Sequence, residues 1–190
     1  MNAAMKDTAS PSHGLWNEMS DQFGRTLGEL SERSTMLVVF LRNGGCTFCR
    51  QMLSDLTQER TRIEARGMMI VLVHQDPPEQ FARIVARYAM TDVAQISDPH
   101  QKLYRMFGLR RGEWWRLLSP GVWWHGFVAC LVRRHGMGPP RGDVRQLPGG
   151  FLVRDRRIVR AHRPHSPDDR FCFRQFTDPL PTAHSTEKYI

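Results

Sequence analysis

The chain has 190 residues, of which 41% are hydrophobic and 24% are charged, and its formal net charge is +8. This length and composition exclude a wholly disordered chain and favour one domain with a single core and a short extension. The arginines are dispersed along the sequence, so we expect solvated basic faces and no specific nucleic-acid site.

The cysteine content indicates an intracellular redox setting. Four cysteines, Cys46, Cys49, Cys130 and Cys172, are too few and too unevenly spaced for a disulfide-rich secreted domain. The first 24 residues lack a continuous apolar segment behind a basic start, so we expect no signal peptide and a cytoplasmic location. In that compartment a close cysteine pair is more often catalytic or metal-binding than structural.

The N-terminal residues 1–34 are predicted to form an extension that contains a helix. Its apolar residues recur at three- and four-residue steps, which places them along one helical face. These residues are Leu15, Met19, Phe23, Leu27 and Leu30.

Residues 35–74 have the pattern of a strand, a helix and a second strand. The segment 35–42 is a nearly continuous apolar run, typical of a strand covered on both faces. Residues 47–66 are helical in pattern until Gly67 supplies a stop, and 68–74 is a second buried strand. Such an order predicts a right-handed parallel βαβ unit. The inner helical face is predicted to carry Phe48, Met52, Leu56 and Ile63.

The rest of the chain predicts further helices and a late hairpin. A second helix follows the Pro77-Pro78 pair, and a short helix ends at Gly108. The runs 150–155 and 157–163 are typical of an antiparallel hairpin, after which a short amphipathic stretch reaches Phe176. We assign residues 35–176 to the domain and 177–190 to a flexible tail.

Residues 110–145 interrupt the alternation of strands and helices as an insertion that carries four of the five tryptophans. Its apolar stretch is shorter than the ~20 residues of a membrane-spanning helix and is broken by proline and glycine. Two interpretations stay open: a helix packed on the core, or an interfacial element. The second would give a weak membrane-surface contact through the Trp114–Trp124 region.

Cys46 and Cys49 lie where the first strand gives way to the first long helix. A helix N-terminus presents unpaired N–H groups and a partial positive charge, which stabilise a thiolate and lower its pKa. The three-residue spacing brings the second sulfur onto the same turn, where it can attack a mixed disulfide or a sulfenic acid on the first. This geometry predicts reversible two-electron chemistry.

The segments "VVFLRNGGCTFCRQML", "IVLVH", "DPHQKLYRMFGL" and "GDVRQLPGGFLVRDRRIVRAHR" resemble the thioredoxin-like superfamily. Within it they are most similar to the peroxiredoxin-like branch, the AhpC/TSA-type proteins with the selenoprotein-L-like and Prx-like-2 groups. The resemblance implies an α/β fold, a three-layer α/β/α sandwich with a central mixed sheet. It also implies a peroxide reductase or thiol–disulfide oxidoreductase that uses an external thiol reductant and no bound cofactor or metal.

The resemblance leaves the attacking sulfur open. If Cys49 stands at the peroxidatic position, Cys46 replaces the family's threonine and Arg42 its proline, so the hydroxyl that holds the peroxide is missing. In the thioredoxin register, Cys46 is the exposed nucleophile and Cys49 resolves. We favour Cys46, because the first residue of such a motif lies closer to solvent and to the helix terminus.

Three residues are expected to support the pair: Arg42, Thr47 and Pro148. Arg42 ends the preceding strand and could lower a thiolate pKa by its charge, although a solvated arginine fits equally well. Pro148 resembles the proline that begins the strand facing the motif, in a cis or a trans form. His162 and Arg163 resemble the His-Arg pair that follows the final strand in this family, and we expect them to have a structural or surface role and not a catalytic one. Cys130 and Cys172 are expected to be small buried hydrophobes, and a role for either as a later resolving thiol is the less favoured alternative.

Two rival interpretations remain. A zinc site would need further ligands, for which His162 and His165 are the nearest candidates, at an unusual spacing. Alternatively, a non-catalytic module would sense redox state, or bind a partner or membrane surface through the insertion. The sequence gives no oligomeric state.

Overall fold

A computed structural model of the chain describes residues 14–42, 46–111, 143, 145–164 and 171–178. Residues 112–142 of the tryptophan-rich insertion, Cys130 among them, lie outside the described residues, as do His165 and residues 179–190, so the interpretations given for them stay predictions.

The described part of the chain forms a five-stranded mixed sheet in the order β3-β2-β1-β4-β5. The central strand β1 pairs in parallel with β2, which pairs in parallel with β3. On its other side β1 pairs antiparallel with β4, and β4 forms the predicted antiparallel hairpin with β5. The strands are β1 (Met36–Phe40), β2 (Met69–His74), β3 (Ala94–Ser97), β4 (Gly149–Arg154) and β5 (Arg157–His162).

Helices cover both faces of the sheet, which confirms the three-layer α/β/α arrangement. Buried residues of α3, α4 and α6 pack on one side, called here the α3 face. Buried residues of α1, α2 and α5 pack on the opposite side, called the α5 face. The helices are α1 (Leu15–Glu18), α2 (Leu27–Arg33), α3 (Thr47–Ala65), α4 (Pro78–Ala86), α5 (Lys102–Met106) and α6 (Phe173–Thr177).

The strand β1 is buried along its whole length because both faces of the sheet are covered. Met36, Val38 and Phe40 belong to the core of the α5 face. Leu37 and Val39 belong to the core of the α3 face. All five side chains are fully buried. The unbroken apolar sequence of this strand therefore follows from its central position, as expected for a strand without a solvent face.

The prediction of a single N-terminal helix is wrong, because the segment forms the two short helices α1 and α2. The chain turns between them at Gly24, whose φ is +78°. The Asp21 carboxylate accepts hydrogen bonds from the backbone N–H groups of Phe23 and Arg25 in this turn. Thr26 then starts α2 with a capping box. As a result Phe23 is 56% exposed and does not join the apolar face.

The long helix α3 turns a slightly different face to the sheet from the one predicted. Phe48 and Met52 are only half-buried. The residues that follow each of them, Cys49 and Leu53, are 2% and 1% exposed. Leu56 and Ile63 are buried as predicted. This rotation places the second cysteine of the pair in the core of the α3 face.

His74 ends β2 inside this core. It is 1% exposed, and its ring stacks on Phe81 with a centroid distance of 3.7 Å. Burial lowers the pKa of His74 to about 3, because the charged imidazolium would lose its hydration there. At neutral pH the side chain is therefore an uncharged part of the core.

We expect His74 to make the native protein sensitive to acid. Its pKa is about 3 when folded and about 6.5 in an unfolded chain, so the unfolded state binds more protons between these values. The free energy of unfolding should thus fall as the pH drops below about 6.5, by about 2 kcal/mol at pH 5 from this residue. His74→Phe keeps the stacked ring and removes the titration. Urea unfolding of both proteins at pH 7 and pH 5 tests this, and a stability difference that does not change with pH would contradict it.

Candidate active site

The two cysteines lie at the carboxyl edge of the sheet, where β1 leads into α3. The backbone N–H of Leu41 still bonds to the Val73 carbonyl at 2.8 Å, after which the chain leaves the sheet. Cys46 occupies the N-cap position of α3, and its carbonyl accepts the helical hydrogen bond from Arg50 at 3.0 Å. The thiol of Cys46 is thus held at the positive end of a 19-residue helix.

Arg42 contacts both sulfurs. Its guanidinium Nη2 lies 3.0 Å from the Sγ of Cys46, and its backbone N–H donates to the Sγ of Cys49 at 3.2 Å. Both cysteines are free thiols; Cys46 is partly exposed and Cys49 is 2% exposed. Arg42 itself is only 7% exposed. The structure therefore brings together the two predicted catalytic residues and the predicted supporting arginine.

The environment of Cys46 stabilises its thiolate. Its pKa falls to about 5, mainly because the Cys49 thiol donates a hydrogen bond to its sulfur. The positive charge of Arg42 and the backbone N–H of Cys49 lower the pKa further, and burial opposes them. At neutral pH Cys46 is consequently the ionised and accessible sulfur, and Cys49 lies behind it in the core.

The other two predicted supporting residues also lie at this edge. Thr47 is buried as the first residue of α3. Pro148 is buried directly before β4, whose first residue Gly149 pairs with Phe40 at the end of β1. The described residues contain no cis peptide bond, so the bond before Pro148 is trans. A Cβ atom at Gly149 would lie 2.5 Å from the side chain of Leu109 and 3.1 Å from the carbonyl oxygen of His162, so both neighbours would have to shift for a larger residue.

The other residues considered in the sequence, His162, Arg163 and Cys172, contact aromatic rings and backbone groups or lie at the surface. His162 packs against the Phe171 ring with a centroid distance of 5.0 Å. Arg163 donates to the Phe107 carbonyl at 2.8 Å and covers the Phe151 ring. Cys172 is exposed, which corrects the expectation of a buried hydrophobe. It is the N-cap of the short helix α6.

Sequence reasoning missed Tyr104, which borders the site, and Asp98, which holds the helix that carries Tyr104. The Tyr104 hydroxyl donates to the Leu41 carbonyl next to Arg42. The fully buried Asp98 accepts from the first backbone N–H groups of α5, Lys102 at 2.9 Å and Leu103 at 2.7 Å. An aspartate before a short helix is an N-terminal signal that could have identified Asp98. No periodic signal separates Tyr104 from an ordinary core aromatic.

No cluster of three or more metal-ligating side chains occurs in the described ranges. None of the helices described here is long and apolar enough to cross a membrane.

A mixed sheet between two helical layers, with a paired thiol site at a helix N-terminus, defines a thioredoxin-like thiol redox protein. The model of the AhpC/TSA family matches residues 18–162. The chain belongs to the AhpC/TSA family, and it is a thiol-based oxidoreductase that acts on peroxide or disulfide.

Solved structures are similar in fold at low sequence identity. A mutant of Peroxiredoxin 6 from Arenicola marina has a TM-score of 0.59 at 11% identity, covering 85% of this chain and 67% of that one. Reduced Prx3 from Vibrio vulnificus in complex with hydrogen peroxide has a TM-score of 0.57 at 10% identity, with 83% and 87% covered. MTB DsbF in its mixed oxidised and reduced forms has a TM-score of 0.50 at 13% identity, with 80% and 87% covered. Among curated proteins, none matches this sequence significantly.

Proposed function

We propose that the protein reduces peroxides, with Cys46 as the attacking thiolate and Cys49 as the resolving thiol. The observation that carries this proposal is the Arg42 guanidinium, 3.0 Å from the sulfur of Cys46. A guanidinium has five N–H donors in a fixed plane, so it can hold a sulfur and an oxygen side by side. It therefore stabilises the thiolate before the reaction and the negative oxygen that develops during it.

The proposed reaction has three balanced steps. The Cys46 thiolate attacks one peroxide oxygen, the O–O bond breaks, and the departing oxygen takes a proton to leave as water or an alcohol. Cys49 then attacks the resulting sulfenic sulfur, forming the disulfide and releasing water. An external dithiol finally reduces the disulfide by thiol exchange and is itself oxidised. Each cycle passes two electrons from the dithiol to the peroxide.

Disulfide exchange is a second candidate, favoured by the arrangement of the two sulfurs themselves. Cys49 lies one turn behind the exposed end of the motif, with its sulfur held by the Arg42 backbone N–H at 3.2 Å. A mixed disulfide formed at Cys46 would be resolved by the same attack that resolves a sulfenic acid. The two functions therefore differ only in the molecule that Cys46 attacks.

We also propose a reductant, a cellular location and a membrane contact for this protein. A thiol reductant, thioredoxin-like or of low molecular weight, is required to close the cycle. A cytoplasmic location supplies such thiols and keeps the dithiol reduced between turnovers. The Trp114–Trp124 region, which also carries Arg116, would make a weak contact with an anionic membrane surface.

A direct comparison of oxidants tests the proposal. Reduced protein is mixed with hydrogen peroxide, an organic hydroperoxide, oxidised glutathione or insulin, and the loss of thiols is followed over time. We expect hydroperoxide to oxidise the Cys46–Cys49 pair at least about tenfold faster per mole than either disulfide. Peptide mapping should place the new disulfide between these two residues. A peroxide rate no greater than that of free dithiothreitol, together with rapid insulin reduction, would replace this function by disulfide exchange.

A further inference from the structure

Tyr104 extends from the core of the α5 face to the edge of the sheet where the thiols lie. Its side chain is fully buried, and its ring packs edge-on against Phe40 with a centroid distance of 4.9 Å. Its hydroxyl donates to the Leu41 carbonyl, and the Val73 carbonyl lies 3.3 Å away as a second acceptor. The phenol is thus bonded to the ends of both β1 and β2.

The peptide unit between Leu41 and Arg42 joins this tyrosine to the two sulfurs. Its carbonyl oxygen accepts from Tyr104, and its N–H, on the opposite side of the same plane, donates to the Sγ of Cys49 at 3.2 Å. A peptide group is rigid, so fixing its oxygen also fixes the direction of its N–H. The side chain of Arg42, which begins at this peptide, continues to Cys46 at 3.0 Å.

The Tyr104 hydroxyl supplies a hydrogen-bond donor to the buried Leu41 carbonyl, just beyond the end of β1. β1 pairs with β2 only as far as Phe40, and beyond it the sheet ladder no longer supplies a donor for the Leu41 carbonyl. Leu41 is 1% exposed, so water has little access to it. A buried carbonyl without a donor is costly. Tyr104 is in turn held in place by Asp98, which caps the N-terminus of α5.

We propose that the Tyr104 hydroxyl is a positioning residue of the redox site: by holding the Leu41–Arg42 peptide, it aims a backbone N–H at Cys49 and the Arg42 guanidinium at Cys46. Tyr104 belongs to the core of the α5 face, whereas Cys49 belongs to the core of the α3 face, so the tyrosine acts from the opposite side of the sheet. This inference rests on the proposed function, in which Cys46 attacks and Cys49 resolves.

The test compares Tyr104→Phe with wild type. Without the hydroxyl, the Leu41 peptide should turn to find another donor and withdraw both contacts from the sulfurs. We expect the pKa of Cys46 to rise by about one unit, read from the ultraviolet absorbance of its thiolate. We also expect closure of the disulfide after a peroxide pulse to slow about tenfold, read by quenching and mass spectrometry of the sulfenic acid. Tyr88→Phe removes a half-buried phenol beside the α3 face and is the matched control.

Three results separate the possibilities. In the first, Tyr104→Phe lowers the free energy of unfolding and yet leaves the pKa of Cys46 unchanged and the rate of disulfide closure within about twofold of wild type. That result would overturn the proposal. If that variant does not fold, Tyr104→3-fluorotyrosine replaces it, because a more acidic phenol is a stronger hydrogen-bond donor. A lower pKa of Cys46 in this protein supports the proposal. An unchanged pKa overturns it. The titration needs no substrate, so it stays informative if wild type proves inactive with peroxide, which would count against the proposed function alone.

Discussion

Cys46→Ser protein is expected to lose peroxide turnover by about a thousandfold or more. A serine hydroxyl stays neutral at this helix N-terminus, whereas the wild-type thiol, with a pKa of about 5, is ionised at neutral pH. Cys49→Ser should behave differently, because Cys46 performs the first attack and the serine hydroxyl can still donate a hydrogen bond to its sulfur. It should consume about one equivalent of peroxide, form a sulfenic acid that dimedone traps, and stop there. Peroxide consumption and mass spectrometry of the trapped adduct measure both outcomes.

Cys172→Ser is the matched control for this pair, since it removes an exposed free thiol. Its turnover should equal that of wild type. The reverse pattern, with the dimedone adduct on Cys49 of the Cys46→Ser protein, would make Cys49 the peroxidatic residue. The AhpC/TSA-like register would then replace the thioredoxin-like one.

Arg42→Met should slow the reaction with peroxide by about 10- to 100-fold at pH 7. Loss of the guanidinium should raise the pKa of Cys46 by about one to two units. Starting from a pKa of about 5, this change alone leaves about half or more of the thiolate at pH 7. A loss greater than about twofold therefore measures a second effect, the missing donor to the departing oxygen. Stopped-flow rates from pH 4 to pH 9 separate the two, and the wild-type rate should rise through about pH 5 and then level off.

The control for charge is Arg83→Met, which removes an exposed arginine from α4. Arg42→Lys keeps a cation without the planar donors, and it should restore part of the thiolate stabilisation but less of the rate. If Arg42→Met loses only about twofold at pH 7 and nothing at pH 9, Arg42 acts on the thiolate alone. Direct activation of peroxide by the guanidinium would then be excluded.

The central strands of the sheet were predictable because burial on both faces requires a continuous run of apolar residues. Central strands such as β1 and β2 need apolar residues at every position, and both segments were apparent as unbroken runs. The hairpin was apparent from two runs separated by a polar turn. In contrast, the break between α1 and α2 depends on the Asp21 turn and on Gly24, which keep the two segments from forming one helix. Helical periodicity continues across such a turn and conceals it.

The sequence-local part of the candidate site could be anticipated from the sequence. Cys46, Cys49 and Arg42 lie within eight consecutive residues, so one motif at a strand-to-helix junction brought them together. Tyr104 reaches the same junction from a helix more than fifty residues later. Its contact depends on the packing of α5 against the sheet, which no local pattern contains. Peptide geometry at Leu41 likewise became evident only with the backbone in three dimensions.

The nearly complete burial of Arg42 has a consequence for the energetics of electron transfer. Arg42 is only 7% exposed in the dithiol form, and the thiolate charge opposite its guanidinium disappears when the disulfide forms. Removing the counter-charge of a buried ion is unfavourable. By a thermodynamic cycle, the same free energy destabilises the oxidised form relative to the reduced form and shifts the midpoint potential to a more positive value. The disulfide should therefore accept electrons readily from a physiological dithiol. The resting enzyme should be in the reduced, dithiol form.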